Sequence, residues 1–267
     1  MAMNRRIVLG FLAAACATGV QAAPQSKLLD RRWKLFGRLN GPDHAQWRDI
    51  LRKGRKMGSD GIARFAYDGI DPASVSSYVR GLEAIDPTKL NGHSAFAYWV
   101  NLYNAATVEV VQSAYPVKSI REIGGGIFSS GPWQEKRLNV QGQKLSLDDV
   151  EHGILRPIWK DARIHYAVNC AALGCPNLAA APFEAKSHEA MLDKAAREYV
   201  NHPRGVTVRG EEATLSSIFD WYGDDFGSNA TQVLSHIATY ADPELAKALK
   251  SVRRISGYDY NWGLNDV

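Results

Sequence analysis

The sequence predicts an α+β fold, with helices and short antiparallel strands interleaved in a single compact domain after a helical lead-in. Apolar residues recur at helical spacing over residues 94–116, which is typical of a long helix. Turn dipeptides at Gln141-Gly142 and Arg209-Gly210 stand between short apolar runs, which favours hairpins. The 267 residues contain no repeat and are long enough for one sizeable core.

The first 22 residues have the pattern of a signal peptide. Arg5 and Arg6 precede an apolar run over residues 7–20, and Val20-Gln21-Ala22 ends in small residues at the expected cleavage site. The apolar run is shorter than the roughly 18 residues that indicate a membrane span. We therefore expect export to the periplasm by residues 1–22 and no transmembrane span.

The net charge of the chain and the position of Cys16 limit the partners and the membrane attachment that we expect. The whole chain carries a net charge of +4, and loss of residues 1–22 removes two arginines and no acid, which leaves +2. This small charge predicts no nucleic-acid partner. Cys16 lies in the segment LAAAC, so a lipid anchor at Cys16 is a minor alternative to a soluble mature chain. The expected partner is a small molecule or a peptide of unknown identity, and no cofactor is indicated.

The elements follow in chain order. Residues 23–70 are polar and glycine-rich, with apolar residues spaced as in short helical pieces, and form the lead-in to a domain over 71–267. Asp71-Pro72 is a favourable helix start and predicts a helix over residues 71–87. The remaining predicted elements are a helix over 94–116, a hairpin over 136–147, a helix over 146–157 begun by Ser146 and Asp149, a strand over 162–169, a helix over 187–202, a hairpin over 205–215 and two helices within 230–250.

The two cysteines of the predicted mature chain lie in RIHYAVNCAALGCPNL, residues 163–178. An oxidising compartment favours a disulfide between Cys170 and Cys175. Alternatively, Cys175 is a nucleophile whose pKa is lowered at the start of a helical turn begun by Pro176. Two inert thiols or a zinc site with histidines are further alternatives, although the spacing is loose for zinc. The sequence alone leaves these alternatives open.

Other polar residues could complete a catalytic site around Cys175. A nucleophilic thiol needs a base, and His165 and His152 are the candidates. Glu151, Asn101 or Asn104 would orient that base. Since buried amides must be hydrogen-bonded, Asn101 and Asn104 could equally tie neighbouring loops to their helix.

Five segments together resemble the domain-of-unknown-function 547 family: AFAYWVNLYNA, LSLDDVEHGILRP, RIHYAVNCAALGCPNL, LSSIFDWYGDDF and YDYNWGLND, across about residues 70–265. The resemblance implies an exported bacterial protein of this fold, with no agreed activity. It places the family's motif positions on Asn101, Tyr103, Asn104, Glu151, His152, Arg156, His165, Cys170, Cys175, Pro176, Trp221, Asp225 and Phe226.

Two functions are therefore expected from the sequence. The first is a periplasmic binding or structural domain with a Cys170–Cys175 disulfide and a polar cleft, to which Asn104, Arg156, Trp221 and Asp225 contribute. The alternative is a cysteine-dependent hydrolase or acyl-transferase, with Cys175 as the nucleophile and His165 or His152 as the base. No metal site is assigned in either case.

Overall fold

The computed structural model describes residues 24–124 and 131–267. The predicted signal peptide and Cys16 lie outside the described residues. The predicted α+β class is confirmed. The helices are α1 (Ala45–Gly54), α2 (Pro72–Glu83), α3 (Gly92–Ala114), a π-helix (Asp149–Leu155), α4 (Arg156–Trp159), α5 (Ile164–Ala167), α6 (His188–Val200), α7 (Ile218–Trp221), α8 (Gly223–Phe226), α9 (Ala230–Tyr240) and α10 (Pro243–Leu249), with 3₁₀ turns at Arg31–Lys34, Pro87–Lys89 and Ile120–Glu122. No helix of the described residues is long and apolar enough to cross a membrane.

The strands form small sheets at the periphery. They are β1 (Arg55–Met57), β2 (Ala63–Phe65), β3 (Leu138–Val140), β4 (Gln143–Leu145), β5 (Val206–Arg209), β6 (Glu212–Ser216) and β7 (Arg254–Asp259). The pairs β1–β2, β3–β4 and β5–β6 are antiparallel hairpins. The β3–β4 turn has φ values of 49° at Gln141 and 76° at Gly142, which fits the turn predicted there.

One strand pairing differs from the expectation of antiparallel strands. β7 pairs with β6 in parallel, with Glu212 opposite Arg254 and Ser216 opposite Asp259. Helices α7 to α10 lie between the two strands along the chain, and so long a connection can return the chain in the same direction. The pairing was not predicted because β7 has no hairpin partner next to it in sequence.

Helix α3 is the centre of the larger of two hydrophobic clusters. Its residues from Ser94 to Val108 are all buried, because the helix is apolar on nearly every side. Trp33, Trp47 and Leu51 of the lead-in pack into the same cluster. The second cluster joins α6, the β5–β6 hairpin and helices α7 to α9.

The predicted strand over residues 162–169 is wrong, because this segment forms the helical turn α5. The Arg163 N–H donates to Asp161 Oδ1 at 2.8 Å, and the Val168 N–H donates to Ile164 O at 3.1 Å. A short alternation of apolar residues does not separate a strand from a helical turn packed on two sides. Here Ile164 enters the first cluster and Tyr166 the second, so α5 lies where the two clusters meet.

The predicted helix over residues 146–157 is present, but its middle is a π-helix. Its start is held reciprocally: the Ser146 N–H donates to Asp149 Oδ2 at 2.7 Å, and the Asp149 N–H donates to Ser146 Oγ at 3.1 Å. The wider backbone of a π-helix is frequent at functional sites. This one carries the acidic and basic side chains described next.

Candidate functional site

His165 lies between two carboxylates at the junction of the hydrophobic clusters. Its Nε2 is 2.7 Å from Asp225 Oδ2, and its Nδ1 is 3.5 Å from Glu151 Oε1. Nδ1 has no hydrogen-bond partner in the described structure, since the contact with Glu151 has poor geometry. The ring of Tyr222 stacks on the imidazole with centroids 4.0 Å apart. The histidine ring is therefore held on its face by Tyr222 and at Nε2 by Asp225.

Arg156 connects this histidine to the rest of the polar cluster. Its Nε donates to Asp225 Oδ2 at 2.5 Å, and its Nη1 lies 3.0 Å from His152 Nδ1. The same Nη1 donates to the carbonyl of Pro24 at 2.8 Å. The guanidinium is buried, with only 5% of the side chain exposed. A buried cation needs such partners to offset the loss of solvation.

Burial and mutual charge shift several pKa values in this cluster. Burial raises the pKa of Glu151, but His152, His165 and Arg156 outweigh it and lower that pKa to about 2. Burial lowers the pKa of His152 to about 4. At neutral pH His152 is therefore uncharged, so its Nδ1 can accept the hydrogen bond from Arg156.

The pKa values of Asp225 and Asp148 are shifted in opposite directions. Burial raises the pKa of Asp225, but its hydrogen bonds with His165 and Arg156 outweigh this and hold that pKa well below its usual range. Burial and the charge of Glu151 raise the pKa of Asp148 to about 6. Asp148 Oδ1 lies 3.7 Å from His152 Nε2. Glu151 Oε1 lies 4.0 Å from His152 Nδ1, so His152 stands between a carboxylate with a lowered pKa and one with a raised pKa.

The amides of Asn101 and Asn104 tie loops to helix α3. Asn101 Nδ2 donates to Phe183 O at 2.8 Å and its Oδ1 accepts from the Phe183 N–H at 3.0 Å. Asn104 Nδ2 donates to Ala167 O at 2.9 Å and its Oδ1 accepts from the Asn169 N–H at 2.8 Å. Both ends of each amide are occupied by backbone, so these residues position the site without facing a substrate.

Cys170 and Cys175 are free cysteines in the structure, so the predicted disulfide is not present in it. The Cys170 N–H donates to Cys175 Sγ at 3.0 Å, and Tyr260 Oη lies 3.1 Å from each sulfur. The expected helical turn at Cys175-Pro176 is wrong as well: the Cys175 N–H closes a turn onto Ala172 O, and a segment without regular secondary structure follows.

The thiols and the histidines occupy neighbouring but separate places. In the described part of the chain, the two sulfurs are hydrogen-bonded to the Cys170 N–H and to Tyr260, and no histidine is among their partners. The thiols and the polar cluster still influence each other electrostatically, because the charge of Glu151 contributes to the raised pKa of Cys170. The expected pairing of Cys175 with His165 or His152 is therefore not formed here.

Trp221 belongs to an aromatic cluster beside the thiols. Its ring centroid lies 4.8 Å from that of Tyr260 and 5.5 Å from that of Trp262. Trp133 joins the cluster through Trp262 at 5.7 Å. Trp221 thus contacts Tyr260, which contacts both sulfurs, and it does not line the cavity next to Asp225.

A cavity of about 330 Å³ opens beside the Arg156–Asp225 pair. Its walls come from the N-terminal segment, the end of the π-helix with α4, and α8. The lining residues are Ser26, Arg156, Pro157, Lys160, Asp161, Asp224 and Asp225. Of the residues expected in the polar cleft, Arg156 and Asp225 line this cavity, whereas Asn104 and Trp221 do not. Among the described residues, no group of three or more His, Cys, Asp or Glu side chains is arranged so that it could hold a metal ion.

Sequence reasoning missed Tyr222, Tyr260, Asp148 and Lys160. Tyr222 and Tyr260 lie in the segments LSSIFDWYGDDF and YDYNWGLND, respectively. In both segments, the position of a tyrosine next to charged or polar motif residues was the signal that could have identified it. Asp148 precedes Glu151 by three residues on a helix, which places both on neighbouring faces. Nothing in the sequence distinguishes Lys160 from the other exposed lysines.

Comparison with known families supports part of the sequence-based assignment. Residues 87–200 match a family described as "Protein of unknown function, DUF547". The expected family is therefore confirmed for this segment, which contains the asparagine, Glu151–Arg156 and cysteine motifs. Trp221 and Asp225 lie beyond the matched residues. Neither the curated proteins nor the solved structures gave a match to this chain.

Proposed function

We propose that this chain, with its DUF547 segment, is exported to the periplasm through residues 1–22 and binds a small zwitterion in the cavity beside Arg156 and Asp225. The ligand class is an amino acid or a short peptide that carries one ammonium and one carboxylate. The observation behind the proposal is a pair of opposite charges on the cavity wall, Lys160 and Asp224, that have no ionic partner within the described residues.

The other charges of the cavity already neutralise one another. Asp225 is paired with Arg156 at 2.5 Å. Asp161 is paired with Arg163 at 2.7 Å. An ammonium group next to Asp224 and a carboxylate next to Lys160 would complete the set, whereas a ligand with one charge would leave the other side chain unpaired. Charge matching of this kind gives a site its selectivity.

Hydrogen bonds within the protein hold the side chains of Arg156 and Asp225 in the cavity wall. Arg156 is fixed by Asp225, His152 and the Pro24 carbonyl, and Asp225 is fixed by His165. A site built from immobilised side chains loses little conformational entropy when it binds a ligand. This supports binding as the role of the polar cluster.

Cysteine-dependent hydrolysis has less support as a function. A general base must lie within hydrogen-bond reach of the proton that it takes. Both nitrogens of His165 face carboxylates, and His152 Nδ1 faces Arg156. A nucleophilic Cys175 would need at least one of these contacts to open.

Isothermal titration calorimetry tests the proposal with alanine and alanyl-alanine as probes, beside N-acetylalanine and alanine amide. We expect binding of the zwitterions and at least tenfold weaker binding of both single-charge analogues. Asp224→Asn and Lys160→Gln should each weaken the zwitterions about tenfold, which corresponds to about 1.4 kcal/mol.

Asp220→Asn is the matched control, since Asp220 is an exposed aspartate that does not line the cavity. It should bind as the unchanged protein does. Equal binding by the acetylated or amidated analogues, or unchanged binding by Asp224→Asn and Lys160→Gln, would exclude a zwitterion site here.

A further inference from the structure

We infer that Cys170 and Cys175 form a redox-active dithiol that reacts with disulfides of small molecules or proteins. In this assignment Cys170 is the sulfur that an external disulfide reaches, and Cys175 is the sulfur that closes the intramolecular bond. The inference goes beyond the proposed function, because neither cysteine lines the cavity at Arg156.

The sulfurs of Cys170 and Cys175 lie near each other and are not joined by a disulfide bond. Tyr260 Oη lies 3.1 Å from each of them. Cys175 Sγ also accepts the Cys170 N–H at 3.0 Å. The sulfur of Cys175 therefore faces hydrogen-bond donors, which is an environment that favours a thiolate.

The two sulfurs differ in access and in acidity. Cys175 is 4% exposed, whereas Cys170 is partly accessible. Burial raises the pKa of Cys175, but hydrogen bonds from Cys170 and Tyr260 outweigh it and lower that pKa. The hydrogen bond with Cys175 and burial raise the pKa of Cys170. An external disulfide thus meets Cys170, while the negative charge resides on Cys175.

The loop between the cysteines keeps its shape without a sulfur–sulfur bond. Asn169 Nδ2 donates to Pro176 O at 2.8 Å, and Asn169 Oδ1 accepts the Ala171 N–H at 2.9 Å. The Leu173 N–H donates to Gly263 O at 2.7 Å, which fastens the loop to the C-terminal segment. Since these hydrogen bonds do not involve sulfur, the loop can hold both the dithiol and the disulfide.

The reaction proceeds in two exchange steps. As Cys170 Sγ attacks one sulfur of glutathione disulfide, its proton passes through the Tyr260 hydroxyl to the Cys175 thiolate. The S–S bond of glutathione disulfide breaks and releases one glutathione thiolate, which takes that proton from Cys175. The Cys175 thiolate then attacks Cys170 Sγ, which breaks the mixed disulfide and releases the second glutathione. Two electrons pass from the protein to glutathione disulfide. The Cys170 proton ends on the first glutathione, and the second glutathione leaves as a thiolate that takes its proton from solvent.

Intact-mass spectrometry after mixing with glutathione disulfide tests the inference. Cys16→Ser serves as the background, so that only Cys170 and Cys175 can react. We expect the reduced protein to become lighter by two hydrogen atoms, without an accumulating adduct, and dithiothreitol to reverse the change. A protein that stays reduced, or that accumulates glutathione adducts, would overturn the inference.

Serine variants test the order of the two sulfurs. Cys175→Ser should stop at one glutathione adduct located on Cys170. Cys170→Ser should react at least tenfold more slowly, because Cys175 is buried. Faster or equal reaction of Cys170→Ser would reverse the assignment and contradict it.

Tyr260→Phe tests the second step by its pH profile. Loss of the phenol removes a donor to Cys175, so the rate of disulfide closure should reach its plateau at higher pH than in the unchanged protein. Tyr258→Phe is the matched control: it lies two residues away, is 42% exposed, and should leave the profile unchanged. An identical profile for Tyr260→Phe would refute Cys175 as the closing thiolate stabilised by this tyrosine.

Discussion

Two buried asparagines in this protein act through backbone contacts. Asn101 and Asn104 stand three residues apart on α3, and each amide bridges a carbonyl and an N–H of another segment. The segment bound by Asn101 contains Phe183, and the segment bound by Asn104 leads to the two cysteines. The asparagines therefore determine where the site residues lie, although neither lines the cavity beside Arg156.

Replacing Asn101 by alanine tests this positioning role. The change leaves the Phe183 N–H and carbonyl without partners in a buried place, so the free energy of unfolding should fall by about 2–3 kcal/mol. Urea denaturation measures it. Asn139→Ala is the control, because Asn139 is exposed and should change stability by less than about 0.5 kcal/mol. An unchanged stability for Asn101→Ala would contradict the assignment.

The buried histidines predict a loss of stability in mild acid. His152 and His236 have pKa values lowered by burial to about 4, and burial also lowers the pKa of His44. The unfolded chain takes up these protons near pH 6.5, whereas the folded chain does not. Asp148 opposes this, because its pKa is raised to about 6 and the folded chain takes up its proton first.

The histidines outnumber the aspartate, so the free energy of unfolding should fall from pH 6.5 to pH 4 by about 1–2 kcal/mol per pH unit. Denaturant unfolding at several pH values measures the slope. His236 lies outside the polar cluster, and His236→Asn should reduce the slope of the free energy of unfolding against pH by about the contribution of one titrating proton. Stability that stays level or rises as the pH falls would show that these histidines are protonated in the folded protein.

At the residue scale, the sequence motifs named residues that lie together in the structure, but they did not predict the contacts of those residues. The motifs indicated Glu151, Arg156, His165 and Asp225, and the structure brings all four together. The pairing of Cys175 with a histidine was not formed, because α5 turns His165 toward Asp225. Proximity in sequence does not fix the direction of a side chain on a segment whose secondary structure is wrongly predicted.

At the scale of elements, the π-helix and the N-terminal segment form one unit. The Lys27 N–H donates to His152 O at 3.0 Å, and the Leu29 N–H donates to Gly153 O at 2.9 Å. The segment thus lies along the π-helix and supplies Ser26 to the cavity wall. The close approach depends on the missing side chain of Gly153.

Gly153→Ala tests that approach. A Cβ at this position would lie 2.9 Å from Leu29 Cβ, so the N-terminal segment must shift. The free energy of unfolding should fall by about 1–3 kcal/mol. Gly81→Ala on α2 is the matched control, since a Cβ there meets nothing within 4 Å, and it should stabilise by up to about 1 kcal/mol. Equal effects of the two changes in urea denaturation would contradict this packing.

Element prediction succeeded where the signal was local. The helices over α2, α3, α6, α9 and α10 and the hairpins β3–β4 and β5–β6 follow from caps, turn residues and periodicity. The π-helix, the β1–β2 hairpin and the parallel partner β7 were not predicted. Their formation depends on contacts with distant segments, such as Phe65 with Asn265 and Lys27 with His152, which a local pattern does not contain.

For the molecule as a whole, the polar cluster lies where the two hydrophobic clusters meet. Helix α5 contributes Ile164 to one and Tyr166 to the other, and His165 between them reaches the site. The sequence predicted the α+β class from its elements. It could not predict this junction, because the arrangement of the clusters depends on packing between segments far apart in the chain.

The central claim is that the cavity beside Arg156 and Asp225 binds a zwitterion, and an NMR titration of the ¹⁵N-labelled protein with alanyl-alanine tests it most directly. We predict saturable shifts confined to the Arg156 Nε–H and to the amides of Ser26, Lys160 and Asp224, with the indole N–H signals of Trp221 and Trp262 unchanged. Shifts centred on those indoles, or no saturable shift at any cavity residue, would contradict the claim.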